Sequence, residues 1–477
     1  MLGYHLRVLI FCVSLLVSLS ATVHVLLFKR DPRSAVLWSG ICLFVPILGP
    51  FIYLIFGVNR LRTQARYLHR RGKWHHGTPI DRRHWPEASF STKNNPFRSI
   101  SRLGDSLVSR PVLSGNKVSL LENGEMAYPA MLEAIGKARQ TLYLSTYIFD
   151  DDSTGEMFVK ALVDARNRGV VVRVLVDAVG ERYSKKRITR ILKAKGVPCA
   201  RFLPIRWNPT RLHLNLRNHR KLLVADSRVG FIGGMNIRDA QWADSAKSTR
   251  PICDMHFRVE GPVVLEMEEV FLGDWFFAAK ESLPWRQKGR VTSKGGSACR
   301  IIDDGPNEEI ERTQTLLLGI AGWAQKSLRI MTPYFIPDQV LIAALTQAVL
   351  RGVEVEIILP AKNNLPFVAW ASRAYWGEVI QRGMKVYEEP GSFIHSKALV
   401  ADGVYALVGS SNLDPRSLRL NFECNLEVYD PAFAGLLEKR MLSHRARSRR
   451  VTLEKINTES IPLQLRNAVC KLFSPYL

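Results

Sequence analysis

The chain has 477 residues and carries 67 Lys and Arg against 43 Asp and Glu, a formal net charge of +24. This length accommodates two or three domains with complete hydrophobic cores, and the positive charge predicts an anionic partner, either nucleic acid or an acidic membrane surface. Seven cysteines, an odd number without a CxxC pair, exclude a disulfide framework and a cysteine zinc site, and they fit a reducing compartment.

Two apolar segments open the chain. Residues 8–28 contain no Asp, Glu, Lys or Arg and are long enough to cross a bilayer as a helix. A cleaved signal peptide is the alternative, although the apolar run continues past its would-be cleavage site. Residues 35–58 form a second uncharged run, which Pro46, Gly49 and Pro50 interrupt. This run predicts either a kinked span or a re-entrant hairpin.

A strongly basic stretch follows the apolar segments. Between residues 59 and 83, eight Arg or Lys stand against the single Asp81, a composition typical of segments that face anionic lipid headgroups. The positive-inside rule then places the rest of the chain in the cytoplasm, with two spans and both termini inside. If the second segment re-enters the bilayer instead, the link at residues 29–33 lies on the same side of the membrane as the rest of the chain. We interpret residues 59–111, which are polar and rich in turn formers, as a basic linker.

The rest of the chain repeats itself at long range. Residues 138–149 align with 324–335, and each copy reads as a helix end followed by a strand. Residues 168–177 align with 351–360, where a helix stops at a glycine before a buried strand. Each half therefore predicts an α/β domain with a mixed sheet flanked by helices, and the two halves are expected to face each other across a pseudo-twofold axis.

We place the two domains at residues 112–290 and 298–445, separated by a basic linker that contains Gly and Pro. Two basic segments lie outside the repeated pattern. Residues 207–217 are a candidate loop for lipid approach, with a basic surface insertion as the alternative. Residues 446–477 form a basic tail, which is either an amphipathic element that touches the bilayer or an ordinary surface helix.

The strongest repeat is a pair of polar motifs. Each reads His-x-Lys, four mostly apolar residues and Asp, and a glycine-containing stretch then leads to an Asn 17 residues after the His. A single copy would fit a strand with a capping Asp and a surface Lys, but two copies with the same following Asn make chance a poor explanation. The residues are His219, Lys221, Asp226 and Asn236 in the first copy and His395, Lys397, Asp402 and Asn412 in the second.

These residue types together suit phosphodiester chemistry. Side chains at positions i and i+2 of an extended segment share a face, so the imidazole and ammonium of each motif converge. Two lysines and two asparagine amides can hold phosphate oxygens, while one neutral imidazole attacks phosphorus and a second, protonated one serves the leaving oxygen. This scheme needs no metal or cofactor, and we predict none. Asp226 and Asp402 complete the catalytic motif, but their odd spacing from the histidines predicts a structural part.

The paired motifs resemble those of the phospholipase D superfamily, and each half resembles a phospholipase D-like domain. Nearly the whole chain is similar to bacterial cardiolipin synthases in particular. The stretches that carry this resemblance are Arg30-Asp31-Pro32, residues 46–57, 332–337 and 412–418, Asn421-Phe422-Glu423 and Phe473-Ser474-Pro475. It implies a bacterial inner-membrane enzyme that transfers a phosphatidyl group from one phosphatidylglycerol to another, giving cardiolipin and glycerol. The implied partners are phosphatidylglycerol and anionic membrane lipids, and no nucleic acid.

The resemblance also implies a role for each motif residue. In the superfamily the first histidine is usually the nucleophile, so His219 would form a phosphatidyl-histidine intermediate. His395 would then be the general acid for the departing alcohol and the base for the incoming one. The reverse assignment stays open because the halves are symmetric. The implied phosphate clamp consists of Lys221, Lys397, Asn236 and Asn412.

A second carboxylate in each half is expected to orient the imidazole of that half. Asp254 and Glu423 follow the histidines of their own halves by 35 and 28 residues. Each would accept the Nδ1–H bond and leave Nε2 free to attack, with an ordinary surface acid as the alternative. The halves differ where Gly234 stands in place of Ser410, so we expect a hydroxyl near the phosphate from one half only.

Four other functions compete with cardiolipin synthesis. A hydrolytic phospholipase D would use the same residues with water as acceptor, and a synthase using phosphatidylethanolamine as co-substrate would differ only in the shape of its pocket. A nuclease of the same superfamily would suit the positive charge, but it gains nothing from membrane-spanning segments. A membrane scaffold without activity would require neither His219 nor His395.

Overall fold

The computed structural model describes residues 2–29, 32–58, 85–90, 92, 94–204, 216–244, 248–284, 292–305 and 311–474. Several predictions fall outside the described residues: the basic stretch at 59–83, most of the loop at 207–217, part of the linker between the domains, Arg30, Asp31 and Pro475. The N-terminal helices form one compact unit, and the remaining described residues form a second, larger one.

The N-terminal unit is helical. Its elements are α1 (Leu2–Phe28), α2 (Pro32–Phe44), α3 (Leu48–Ile52) and a π-helical turn (Tyr53–Gly57). Within the described residues, α1 alone is long and apolar enough to cross a membrane. The second apolar segment is interrupted between α2 and α3, where Ile47 after Pro46 adopts left-handed backbone with φ of 68°. The predicted interruption is confirmed, and a membrane-crossing length is found for the first segment only.

The larger unit begins with α4 (Arg98–Leu107) and continues as two halves with similar orders of elements. The first half contains β1 (Leu113–Glu122), α5 (Asn123–Lys137), β2 (Thr141–Thr146), α6 (Ser153–Asn167), β3 (Val171–Asp177), α7 (Ile188–Ala194), β4 (Cys199–Phe202), β5 (Leu222–Ala225), β6 (Val229–Gly233), β7 (Ile252–Cys253), β8 (Met255–Glu260) and α8 (Val264–Ala279). The second half contains β9 (Ser297–Asp304), α9 (Arg312–Trp323), β10 (Ser327–Met331), α10 (Gln339–Leu350), β11 (Glu354–Pro360), α11 (Pro366–Gln381), β12 (Lys385–Glu389), β13 (Phe393–Ile394), β14 (Ala398–Ala401), β15 (Tyr405–Gly409), α12 (Pro415–Arg419), β16 (Glu423–Tyr429) and α13 (Pro431–Arg447). The C-terminal elements are β17 (Arg449–Arg450), α14 (Leu453–Asn457) and α15 (Ile461–Leu472).

One continuous sheet runs through both halves. Among the described strands its order is β17-β12-β11-β10-β14-β15-β16-β9-β1-β8-β6-β5-β2-β3-β4. Outward from the antiparallel β1–β9 pair, the two halves follow equivalent paths, and β2-β3-β4 and β10-β11-β12 are the parallel parts. A small parallel ribbon of β7 and β13 joins the halves a second time. The predicted α/β class with mixed sheets and a pseudo-twofold repeat is confirmed.

The repeated segments form the parallel part of each half. Asp152 and Asp338 cap the starts of α6 and α10, because each carboxylate accepts a backbone N–H from the residue three positions later. Both helices are followed by a glycine with positive φ, Gly169 and Gly352, which ends the helix without strain. The strands β3 and β11 that come next are mostly buried. The predicted order of helix, glycine stop and buried strand is therefore confirmed twice.

Parts of the predicted linker and tail are folded onto the second half. Helix α4 packs against α9, and its Ile100 and Leu107 belong to the hydrophobic core of that half. In the tail, β17 extends the sheet beside β12, and α15 packs against α11 with Cys470 in the same core. Both segments are rich in polar residues and contribute only a few buried side chains, so their composition alone predicted a basic linker and a basic tail.

Candidate active site

The two histidine motifs meet because each is paired through its backbone with the opposite half. The N–H of His219 donates to the carbonyl oxygen of Phe422 at 2.9 Å, and the N–H of Phe422 donates to that of Arg217 at 2.8 Å. On the other side, the N–H of His395 donates to the carbonyl oxygen of Cys253 at 2.7 Å, next to the β7–β13 ribbon. The two imidazoles therefore line one cleft between the halves.

The carboxylates that contact the histidines are exchanged between the halves. Nδ1 of His219 lies 3.1 Å from the Glu423 carboxylate, and Nδ1 of His395 lies 2.9 Å from that of Asp254. The prediction that each carboxylate serves the histidine of its own half is wrong. The cause is the backbone pairing across the interface, which places Glu423 directly after Phe422 and beside His219. The distance along the chain held no information about this exchange.

Residue 410 supports a carboxylate instead of facing the cleft. The Ser410 hydroxyl donates to the Glu423 carboxylate, and the Ser410 carbonyl oxygen lies 3.1 Å from Nδ1 of His219. At the equivalent position, a Cβ on Gly234 would lie 2.6 Å from Oδ1 of Asp254, so the absence of a side chain makes room for that carboxylate. The expectation of a hydroxyl near the phosphate is therefore wrong, because the hydroxyl is used to hold Glu423.

Both motif lysines are buried beside their histidines. Lys221 and Lys397 are 3% and 4% exposed, and each Nζ donates to the carbonyl oxygen of the histidine two residues earlier. Nζ of Lys397 also lies 3.0 Å from Nε2 of His395. Burial lowers the pKa of Lys221 well below its usual value and that of Lys397 to about 8. Cations held out of water in this way are stabilised when an anion enters the site.

Both imidazoles are neutral at pH 7 in the empty site. Burial, with the neighbouring lysine charges, lowers the pKa of His219 to about 4 and that of His395 to about 3, although the carboxylates oppose this shift. Burial alone would raise the pKa of Asp254 and Glu423, but the hydrogen-bonded imidazoles and the lysines lower both. The partners thus favour a proton on Nδ1 and none on Nε2, which in His395 accepts from Lys397. A bound phosphodiester anion would raise the imidazole pKa and allow one ring to carry a second proton.

The two asparagines also line the cleft. Oδ1 of Asn236 accepts the backbone N–H of Ile148 at 3.1 Å, which leaves its amide N–H groups available as donors. Asn412 is 5% exposed, and its Oδ1 has no hydrogen-bond partner within the described part of the chain. The two amides therefore line the cleft, while the two ammonium groups lie just behind its wall, Lys397 beside His395 and Lys221 beside the ring of Tyr147. Together these nitrogen donors suit the non-bridging oxygens of a phosphodiester.

The two motif aspartates lie away from the cleft. Asp226 accepts the backbone N–H groups of residues 139, 140 and 141, and Asp402 accepts those of residues 325, 326 and 327, at 2.7–2.9 Å. Each carboxylate therefore fixes the loop that enters β2 or β10. Both residues have positive φ, 53° and 54°. These contacts agree with the predicted structural part of Asp226 and Asp402. They do not agree with counting the two aspartates as catalytic residues.

The cleft is larger than one phosphate requires. It encloses about 1270 Å³, and its wall includes Tyr147, Tyr334 and Arg416, which are not among the predicted site residues. The ring of Tyr147 lies 5.4 Å from that of His219, and the ring of Tyr334 lies 6.5 Å from that of His395. Both tyrosines belong to the repeated segments 138–149 and 324–335, which was the available signal for them.

Comparison with known proteins identifies the family to which this geometry belongs. The family model described as "Cardiolipin synthase, PLD-like domain" matches residues 131–275 and 319–445, and the model "Phospholipase D-nuclease N-terminal" matches residues 16–57. Cardiolipin synthase A of Pseudomonas fluorescens (strain SBW25) is 32% identical over 459 residues, which cover 96% of this chain and 95% of the relative. The chain belongs to the cardiolipin synthase family.

Other matches agree with this membership. A cardiolipin synthase of Oceanobacillus iheyensis is 32% identical over 460 residues, covering 95% of each chain. The crystal structure of a phosphatidylserine synthase from Haemophilus influenzae Rd KW20 covers 79% of this chain and 100% of its own, with a TM-score of 0.62 and 18% identity, and it shares the fold. The family predicted from the sequence is confirmed, and the two halves are its phospholipase D-like domains.

The contacts of the motif aspartates generate a test. Asp226→Ala removes three hydrogen bonds to a carboxylate and a side chain that tolerates positive φ, so we expect a loss of about 2–4 kcal/mol in unfolding free energy. Turnover per folded molecule should stay within about twofold. Asp226→Asn keeps an acceptor and a side chain that tolerates positive φ, so its unfolding free energy should lie between those of the unaltered chain and of Asp226→Ala. Thermal denaturation in detergent measures the first effect and specific activity the second. An Asp226→Asn enzyme that is stable but inactive would contradict a purely structural part for Asp226.

The lowered lysine pKa predicts a pH profile. Because the phosphate clamp needs charged ammonium groups, kcat/KM should fall above pH 8 as Lys397 loses its proton, and below about pH 4 as His219 gains one. Lys397→Arg keeps its charge at all these pH values, so the alkaline limb should move upward in that variant. An alkaline limb that Lys397→Arg leaves in place would assign it to another group.

Proposed function

We propose that this enzyme is a cardiolipin synthase that transfers a phosphatidyl group from one phosphatidylglycerol to a second, releasing glycerol. The observation that carries the proposal is that both motif histidines and both asparagines line one cleft, each histidine with a buried lysine beside it, in a chain of the cardiolipin synthase family. A phosphodiester between the two sets would have an imidazole on each side and four nitrogen donors around its oxygens.

The first step forms a covalent intermediate. Nε2 of His219 attacks phosphorus and the bond to the glycerol oxygen breaks, while His395, protonated in the complex, gives its proton to that oxygen. Glu423 stabilises the imidazole that becomes positively charged. Lys221 and Lys397, with the two asparagine amides, hold the non-bridging oxygens and stabilise the charge of the transition state.

The second step reverses the first with a different alcohol. Neutral His395 takes the proton from a glycerol hydroxyl of the second phosphatidylglycerol, the hydroxyl oxygen bonds to phosphorus, and the bond from phosphorus to His219 breaks. Asp254 holds His395 through its Nδ1 in both steps. One phosphodiester replaces another, so the free energy of the overall reaction is close to zero, and substrate abundance and loss of glycerol set its direction.

The wall of the cleft favours a lipid acceptor over water. The acceptor phosphatidylglycerol carries its own phosphate, which needs a place apart from the catalytic lysines. Arg416 lines the cleft, and its charge acts on the phenol of Tyr147, whose ring contacts His219. A guanidinium in the wall of the cleft suits the phosphate of a second lipid.

The proposed setting is a bacterial inner membrane. The apolar helix α1 has the length to cross it, and the interrupted segment of α2 and α3 would either return through the bilayer as a kinked span or re-enter it. The excess of Arg and Lys at residues 59–83 favours a cytoplasmic position for the catalytic domains.

Product analysis tests the proposed reaction. Purified protein in detergent–lipid micelles with headgroup-labelled phosphatidylglycerol and EDTA should give cardiolipin and released glycerol in equal amounts, and His219→Ala should lower both at least a hundredfold. If phosphatidic acid were the main product, the enzyme would be a hydrolase. If cardiolipin formed only after phosphatidylethanolamine was added, the co-substrate would be phosphatidylethanolamine and the histidine mechanism would still hold.

The pairing of each carboxylate with the histidine of the opposite half can be tested with a phosphatidyl ester of p-nitrophenol as the substrate. Because this leaving group needs no proton, Asp254→Ala and His395→Ala should retain the first burst of nitrophenolate within about tenfold, while their turnover of phosphatidylglycerol falls 10²- to 10⁴-fold. Glu423→Ala and His219→Ala should lose the burst as well. Rapid-mixing absorbance measures it. If Asp254→Ala behaved like His219→Ala instead, the functional pairing would lie within each half.

A further inference from the structure

The tail helix α15 turns its apolar face away from the protein. In the larger unit, thirteen large hydrophobic side chains of the described residues are exposed, and eight of them lie on α15, just after it, or at the start of α11. We call these eight the apolar rim: Leu365, Phe367, Ile461, Leu463, Leu465, Val469, Leu472 and Phe473. Ile461 and Leu472 are 79% and 76% exposed. Exposed apolar residues clustered in this way mark an interaction surface.

The opposite face of α15 holds the helix in place. Arg466 lies over the ring of Trp370 at 4.6 Å and Lys471 over the ring of Tyr375 at 4.2 Å, while Cys470 is buried in the core. Directly after the helix, Ser474 hydrogen-bonds to Tyr375 at 3.0 Å. An ordinary surface helix buries its apolar side and exposes its polar side. Here the polar and basic residues make the contacts, so the exposed apolar face is fixed in position and requires another partner.

The apolar rim borders the catalytic cleft. Leu365 belongs to both, since it lines the cleft that contains His219 and His395. The neighbouring Phe367 joins this edge to α15, because its ring lies 5.6 Å from that of Phe473. A substrate that passes from the rim into the cleft would therefore cross an apolar edge before it reaches the polar groups.

The charge around the rim selects the partner. Residues 461–474 contain Arg466 and Lys471 and no acidic residue. Both stay partly exposed beside the rim while they contact α11, where Lys471 also lies 3.9 Å from Glu378, and Lys362 lies in the adjoining wall of the cleft. A fixed helix with an apolar face and a basic flank has the composition of an element that lies in the interface of an anionic bilayer. A lipid whose phosphate enters the cleft must keep two acyl chains in an apolar medium, and the rim supplies that contact at the entrance.

We propose that the apolar rim inserts into the surface of an anionic lipid bilayer and forms the entrance through which membrane lipids bring their headgroups into the cleft. The acyl chains stay in the bilayer and along the rim while the phosphate reaches the two histidines. This inference rests on the proposed function in that the substrate is a membrane phospholipid, and it adds the surface by which that substrate is taken up.

Matched triple variants of the full chain test the entrance. The rim variant is Ile461→Ser, Leu465→Ser and Leu472→Ser, whose side chains are 61–79% exposed. The control is Val340→Ser, Leu350→Ser and Leu436→Ser, three apolar residues outside the rim that are 55–80% exposed. Headgroup release is counted on long-chain phosphatidylglycerol in proteoliposomes and on a short-chain, monomeric phosphatidylglycerol. The rim variant should lose at least tenfold on vesicles and stay within twofold on the monomer, while the control keeps both rates. Equal loss on both substrates would overturn the proposal.

An environment-sensitive dye reports insertion without turnover. In a Cys12→Ser background, a dye on Leu465→Cys should shift to the blue in phosphatidylglycerol vesicles and less in phosphatidylcholine vesicles, and a dye on Leu350→Cys should not shift. No shift at residue 465 would overturn the proposal. A shift that depends on protein concentration in detergent alone would instead assign the rim to contact between two copies of the chain. If the labelled product proved not to be cardiolipin, the proposed function would fail while the dye and the vesicle-to-monomer ratio still tested the entrance.

Discussion

The active centre depends on hydrogen bonds that run between the two halves of the chain. Glu423 holds His219, and Asp254 holds His395, so each imidazole is oriented by a carboxylate from the opposite domain. The central β1–β9 pair and the β7–β13 ribbon keep these groups in register. Among the described residues, each motif histidine is hydrogen-bonded to a carboxylate of the opposite half and to none of its own, so the site exists only where the two halves are joined.

Burial gives this site its electrostatic character. The two lysines, two imidazoles and two carboxylates are all withdrawn from water, and burial lowers the pKa of both lysines. The carboxylates are already engaged with imidazoles, so they compensate the ammonium groups only in part. A phosphodiester brings the missing negative charge and raises the proton affinity of the histidines at the same moment. Binding and activation of the proton donor are thereby coupled through one charge.

The sequence was most informative for the residues that occur in both repeats. The doubled motif located the histidines, lysines and asparagines, and the repeated segments predicted the helix–glycine–strand order that the structure has. The exchange of Asp254 and Glu423 could not be predicted, because it follows from backbone pairing between strands far apart in the chain. The same limit applies to Ser410, whose hydroxyl turned out to serve Glu423, and to α15, whose polar face is the one that packs.

The contact between His219 and Glu423 joins residues far apart in the chain, so it can form only late in the synthesis of the polypeptide. His219 waits for a partner 204 residues further along the chain, so a growing polypeptide cannot orient this imidazole until β16 has emerged from the ribosome. The first domain can complete its own hydrophobic core well before that point. A nascent chain would therefore carry a folded first domain whose His219 still lacks its carboxylate partner. The centre is complete only after nearly nine-tenths of the 477 residues have been made, and a chain truncated before Glu423 lacks the carboxylate that orients His219.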